Sequence, residues 1–365
     1  MNASGRTGTR AGRLAVRLVA PVSLVLFVAV TVVCNIATNA AAPARTTSVA
    51  TAIGAALASS ATAAIDPAKV VAVAECSNCH AREFTAWENT PHHGSYKKLR
   101  DGKEIAEKLG VKKTYRRTGL CVQCHATLMN VEDKVKAVSG VSCQSCHGAA
   151  ADWLNVHNSY GDAGSADAET DEQRNQRHKV ADAAGMTRKD RIYLIAANCL
   201  GCHTVPQEEL VNKGGHTAGS EFELVAWSQG MVRHNYFQKD ANAPATPERL
   251  RILYVVGRTV DLEMSLRGLA KATADGAYKT SMQARVAAAK GEVDKIVAAG
   301  GDAVKGIAGA IGDIKDDMAP DQVGDIPDKV AAAVKSFAEK NDGGNLASID
   351  ALLPTPDKYK GTAQP

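Results

Sequence analysis

Aromatic side chains are scarce in this chain: 5 Phe, 8 Tyr and 3 Trp among 365 residues. So few large rings cannot fill the interior of a chain this long, and something other than Phe and Trp must supply part of the core. Histidine and cysteine are absent from the 131 residues after His234, which confines any soft-ligand chemistry to the first two thirds. Acidic residues are missing from positions 1–45, which carry five Arg; without that segment 38 bases face 39 acids, a net charge of −1. The +4 of the whole chain is therefore a property of its amino terminus, and no overall basic excess remains to suggest a nucleic-acid partner. Regular alternation of strand type is also hard to find. What the chain does have is a hydrophobic fraction of 45%, enough for a core, and nine cysteines with ten histidines. Four of the histidines directly follow a Cys-x-x-Cys pair, which argues against both a disulfide scaffold and a cytosolic thiol enzyme.

The amino terminus reads as an address. Arg6, Arg10, Arg13 and Arg17 precede an uncharged run from Leu18 to Ala37, broken only by Pro21. This is the pattern of an export signal, and the run is also long enough to span a bilayer as an uncleaved anchor. Ala42-Pro43-Ala44 resembles a cleavage site, so residues 1–44 are assigned as signal peptide or signal anchor and 45–74 as an Ala-rich linker. Cys34 inside the apolar run is preceded by Val33, where a lipoprotein signal would want a small residue; it reads as a bystander. The expected location is the periplasm, soluble or held at the inner membrane by that anchor.

The remaining cysteines form four motifs: Cys76–Cys79–His80, Cys121–Cys124–His125, Cys143–Cys146–His147 and Cys199–Cys202–His203. This spacing suits c-type haem attachment. Two thiols on one helical turn can each add to one vinyl group of a porphyrin, and the histidine that follows is carried beneath the iron as proximal ligand. Zinc is the plainer alternative, since 18 residues separate the Cys121–Cys124 pair from the Cys143–Cys146 pair. Zinc does not require a histidine after every pair, and disulfides leave the histidines unexplained. Four haem c groups would also supply the large apolar faces that the sequence lacks. Their eight propionates should make the mature protein acidic, with a basic rim expected on a redox partner.

Six histidines remain as candidate sixth ligands: His92, His93, His157, His178, His216 and His234. His92, His157 and His234 each have aromatic neighbours within a few residues, while His178 stands among Arg174, Arg177 and Lys179 as on a solvated face. His216 lies between Gly-Gly and Thr-Ala-Gly in what reads as a flexible loop, and His93 competes with its neighbour His92. Spacing alone leaves these assignments open. Met129, four residues after His125, is a further candidate ligand, or else a packed methionine on a following helix.

The run Cys76-Ser-Asn-Cys79-His80, Trp87, Thr90-Pro91-His92, then Cys121-Val-Gln-Cys124-His125, then Gly140-Val-Ser-Cys143-Gln-Ser-Cys146-His147-Gly148, then Cys199 to His203, resembles the tetrahaem cytochrome c-554 family over about residues 75–237. That resemblance implies carriers of electrons from hydroxylamine oxidoreductase, with haems packed in stacked and perpendicular pairs. It also implies that His157 ligates haem 1, His234 haem 3 and His92 haem 4, while haem 2, on Cys121, Cys124 and His125, is five-coordinate. The gap between His203 and His234 departs from the family, as does the long carboxy-terminal extension, which puts the same physiological partner in doubt.

That extension is rich in Ala, Val, Lys and Asp. Thr246-Pro247-Glu248 has the order of an N-cap, first-turn Pro and first-turn acid. Leu253, Val256, Val260 and Met264 then step along one face of a long helix ending before Gly276. A second helix is expected over about 278–299, Val304, Ile307, Ile311 and Ile314 continue the periodicity, and Val330, Val334 and Phe337 mark a short last helix. The fold class is mainly α: a tetrahaem domain of short helices and loops at 75–240, a helical region at 241–353 packed as a cap on the haem core or used for docking, and a loose tail at 354–365. The function expected is single-electron transfer between redox partner proteins, such as a multihaem oxidoreductase or a membrane quinone-linked cytochrome. The competing function is reduction of nitric oxide or a similar nitrogen species at an open haem 2. No Lys replaces a motif histidine and no third cysteine stands ready to crosslink a Tyr to porphyrin, so the multihaem enzymes offer no closer parallel.

Overall fold

A computed structural model describes residues 65–117, 119–236 and 241–365; the signal or anchor segment, Cys34 and the linker up to residue 64 lie outside the described residues. The described residues belong to one compact unit, almost wholly helical. No described helix is long and apolar enough to cross a membrane.

The carboxy-terminal helices form where periodicity placed them. Thr246 caps the helix Pro247–Leu269 by accepting from the N–H of Arg249, and Pro247 occupies the first turn, where its missing N–H costs nothing. This helix is buried on every side rather than along one stripe: Ile252, Val255, Thr259, Leu262 and Leu266 are as inaccessible as Val256 and Val260. The reason is its position, with the helices Ala277–Gly300, Ile326–Lys340 and Ile192–His203 packed around it. Ala277–Gly300 has a narrower buried stripe of Tyr278, Met282, Val286, Ala289, Val293 and Ile296, the spacing of one helix face. Val304, Ile307, Ile311 and Ile314 close the same core.

The boundary expected near residue 240 is crossed by packing. Ala196, Ala197 and Leu200, on the helix that carries the fourth motif, share one hydrophobic cluster with Val256, Leu262 and Leu266. In contrast, the region of the first three motifs has almost no core of its own. Among the described residues, its own cluster of buried apolar side chains consists of Leu99, Val122 and Ala126. Such a segment cannot offset its conformational entropy by side-chain burial alone.

Two details differ from expectation. Thr127–Val131 and Lys134–Ser139 pair as an antiparallel hairpin. Its turn is Glu132-Asp133, both at positive φ (52° and 59°), where Asn-Gly or Asp-Gly is the usual pair and a Glu is uncommon. Met129 is thus on a strand, opposite Lys136, not on a helix. The tail is also tied down. Lys360 donates its N–H to the Ala226 carbonyl (2.9 Å) and accepts from Met231 N–H (2.9 Å), and Asn242 and Tyr236 donate to the carbonyls of Gln364 (2.7 Å) and Pro365 (3.0 Å).

Candidate haem sites

Each motif ends a helical turn: Ala74–Ser77 runs into His80, and Leu120–His125, Cys143–His147 and Ile192–His203 each end on their histidine. The third turn is held by a reciprocal cap between Ser142 and Ser145, to which Thr127 adds a buried hydroxyl (2.9 Å to Ser142, 2.8 Å to Ser145). All eight motif cysteines are free thiols. Among the described residues, no three His, Cys, Asp or Glu side chains gather as a metal-ion site, so the two cysteine pairs spaced for zinc do not converge on one ion.

What converges instead are histidine pairs. The ring of His80 faces His157 with centres 6.3 Å apart, His147 faces His234 at 6.2 Å, and His203 faces His92 at 6.3 Å. An iron with two metal–imidazole bonds of about 2.0 Å would hold two ring centres roughly 6.2 Å apart, since each centre lies about 1.1 Å behind its nitrogen. Free thiols followed by opposed imidazoles at this separation fit a covalently held haem at each motif. The structure brings together each of these sequence-derived candidates: His157 with motif 1, His234 with motif 3 and His92 with motif 4.

Motif 2 also faces a second imidazole, one that the resemblance did not imply. The resemblance implied an open face there and the sequence offered Met129, yet it is His216 that stands opposite His125, with ring centres 6.5 Å apart. Sequence reasoning ranked His216 below the other candidates because the glycines around it suggested a flexible loop. His93 is separated from its rival by its own contacts: its Nδ1 bonds the Glu88 carbonyl (3.0 Å), and its ring packs edge-on to Trp87 at 4.6 Å. Trp87 donates to the Val141 carbonyl (2.8 Å), so it braces motif 3 against the His92 helix. Gly140 lies in the same seam; a methyl group there would overlap the carbonyl oxygens of His92 and His93.

Hydrogen bonds orient the imidazoles. Nδ1 of His147 bonds the Thr187 carbonyl (2.8 Å), that of His157 the Leu154 carbonyl (2.7 Å), that of His234 the Val232 carbonyl (2.7 Å) and that of His203 the Ser220 hydroxyl (2.8 Å). In each ring Nε2 is then the nitrogen left for a metal, the usual division of labour in a ligating histidine. Burial lowers the pKa of His92, His125, His147 and His157, and takes His203 down to about 4, so these rings are neutral and able to donate a lone pair. Arg177 secures the distal side of motif 1. It forms a bidentate pair with Glu169 (2.7 and 2.5 Å) and donates to the His157 carbonyl (2.6 Å). The same pair holds the Glu169 carboxyl below its ordinary range.

The motifs touch one another in a definite order. The thiol of Cys76 neighbours that of Cys143, bringing motifs 1 and 3 together, and that of Cys124 neighbours Cys202, bringing motifs 2 and 4 together. Asn198 donates to the Ser145 carbonyl (2.8 Å) between motifs 3 and 4. Beside motif 2, Lys112, Lys113, Arg116 and Arg117 line an open cleft with Tyr96 and Tyr115. This local basic surface is hidden by the neutral balance of the whole chain.

Residues 75–148 match the family described as cytochrome c554 and c-prime. A cytochrome c-554 of Nitrosomonas europaea is 26% identical over 139 residues, which cover 35% of this chain and 55% of that protein. The chain thus spans about half the length of that relative, and no solved structure matches it. The segment that holds the first three Cys-x-x-Cys-His motifs is thus similar to the cytochrome c-554 family.

Proposed function

We propose that the protein is an exported tetrahaem cytochrome that relays single electrons between redox partner proteins and makes or breaks no substrate bond. The observation that carries this reading is the repeated pairing of a motif histidine with a second imidazole at the spacing of one iron. When bound, each haem supplies a ferric–ferrous couple. The chain's part is to hold the metal saturated: His80, His147 and His203 on one side, His157, His234 and His92 on the other, with the rings of His147, His157, His203 and His234 fixed by the bonds described above. Two imidazoles keep small molecules off the iron, hold the potential below that of Met/His ligation and limit rearrangement on reduction.

The motif contacts support a relay in the order 1–3–4–2, with the basic cleft beside motif 2 as a docking end for an acidic partner surface. This differs from the sequence-based expectation, in which only the partner's rim was basic. Nitric oxide reduction, the competing function, needs an unfilled face opposite His125, and the ring of His216 weighs against it. A potentiometric titration tests the proposal: the holoprotein should take up and return four electrons per chain, with no consumption of nitric oxide, nitrite or hydroxylamine by the reduced form. Turnover of any of these would refute a pure relay.

A further inference from the structure

We infer that His216 is the second axial ligand at motif 2, so that all four sites close on paired imidazoles; this rests on reading the motifs as haem sites. The ring centres of His125 and His216 are 6.5 Å apart with planes at 63°, which is the arrangement of His203 and His92 (6.3 Å, 64°). Nδ1 of His216 bonds the Thr217 carbonyl (2.8 Å), leaving Nε2 for the metal as in His157 and His234.

The loop that carries His216 is built, not slack. Three successive N–H groups, of Gly214, Gly215 and His216, donate to the carbonyls of Glu209 (3.1 Å), Val211 (3.1 Å) and Leu210 (2.9 Å), so the loop folds back on the helix Glu208–Asn212. Gly214 sits where a Cβ would lie 2.6 Å from the Leu210 carbonyl and 3.0 Å from Ile105 Cγ2; only glycine lets the loop seat this closely. At the far end Ser220 donates its N–H to the His203 carbonyl (2.9 Å).

The carboxy-terminal helices fix the same unit from outside. Glu208 accepts from the N–H groups of Thr273 (2.9 Å) and Ala274 (3.1 Å), Asn212 accepts from Tyr278 N–H (2.9 Å), and Arg285 donates to the Ser220 carbonyl (2.9 Å). The helical extension thereby holds the frame from which His216 reaches motif 2.

The test uses the full-length holoprotein. Pyridine haemochromogen first counts haem; fewer than four per chain would overturn the tetrahaem reading and this assignment with it. With four present, the oxidised wild type should give only low-spin ferric EPR signals, and the reduced protein should form no nitrosyl on adding nitric oxide. His216→Ala should convert one haem in four to high spin and admit one nitric oxide, and added imidazole should restore the low-spin state. His216→Met, which keeps a ligand and so the fold, should raise the potential of one haem and leave three unchanged. A wild type already one quarter high-spin that binds nitric oxide, or potentials unmoved in His216→Met, would overturn the assignment.

Discussion

Arg285 links the helical core to the fourth haem motif, and its removal has consequences of calculable size. Its guanidinium pairs with Asp261, Nε and Nη2 standing 2.9 and 2.8 Å from Oδ1, and its Nη1 donates to the Ser220 carbonyl. Both side chains are largely buried, at 16% and 13% exposure, and burial holds the Asp261 carboxyl above its ordinary range. Arg285→Ala leaves that carboxyl without its partner, a loss of about 3–5 kcal/mol for a broken buried pair. The residual exposure lets Asp261 take a proton instead, which favours the lower end. The lost bond to Ser220 adds about 1 kcal/mol. The expected total is roughly 4 kcal/mol in urea unfolding of the holoprotein at neutral pH, most of it recovered in the double variant Arg285→Ala with Asp261→Asn. The double variant does not restore the Ser220 tether. Because the Ser220 hydroxyl bonds His203 Nδ1, the low-spin EPR signal of one haem should stay shifted in both variants while the others hold. A loss under about 1 kcal/mol, or no recovery in the double variant, would refute this reasoning.

Three further outcomes follow from other parts of the molecule. Glu263 is inaccessible, accepts from the Tyr193 hydroxyl at 3.1 Å and is held above the ordinary carboxylate range by burial. A raised acid stabilises in its protonated form: the contribution is whole below the unfolded pKa and is lost as pH rises through the folded one. Glu263→Gln should therefore gain on the wild type as pH is raised from about 4.5, measured as the difference in unfolding free energy; a pH-independent difference would contradict it. Haem-free chain should keep the helices of residues 247–340 while residues 75–190 lose protection in hydrogen exchange, since only Leu99, Val122 and Ala126 cluster there; uniform protection would contradict the account. Truncation after Leu353 removes the strand of bonds from Lys360, Gln364 and Pro365 to the His234 segment, and should make one haem, that of motif 3, exchange its distal ligand with cyanide; an inert protein would show that the tail does not position His234.

What could be read from the sequence was local. The Cys-x-x-Cys-His motifs are written in five consecutive residues, and the helices from Pro247 onward announce themselves by a cap and a 3–4 period. His92, His157 and His234 came from a family resemblance, and the structure brings each to a motif histidine at the spacing of one iron. His216 was only a minor candidate in the sequence because its place depends on three carbonyls of a neighbouring helix and on a frame supplied 60 to 70 residues later. The hairpin escaped notice because Glu132-Asp133 is an uncommon turn. The tail's docking has no periodic signature at all; it rests on bonds between its backbone and backbone or side-chain groups more than 100 positions away. The basic cleft was masked by averaging charge over the chain.

The central claim is that all four Cys-x-x-Cys-His motifs carry covalent haem. Intact mass of the denatured protein, followed by mapping of the haem peptides, tests it most directly. The expected result is a mass increment of four haems, one each on the peptides containing Cys76–Cys79, Cys121–Cys124, Cys143–Cys146 and Cys199–Cys202. An increment of three or fewer, or a motif peptide recovered with free or disulfide-bonded cysteines, would contradict it.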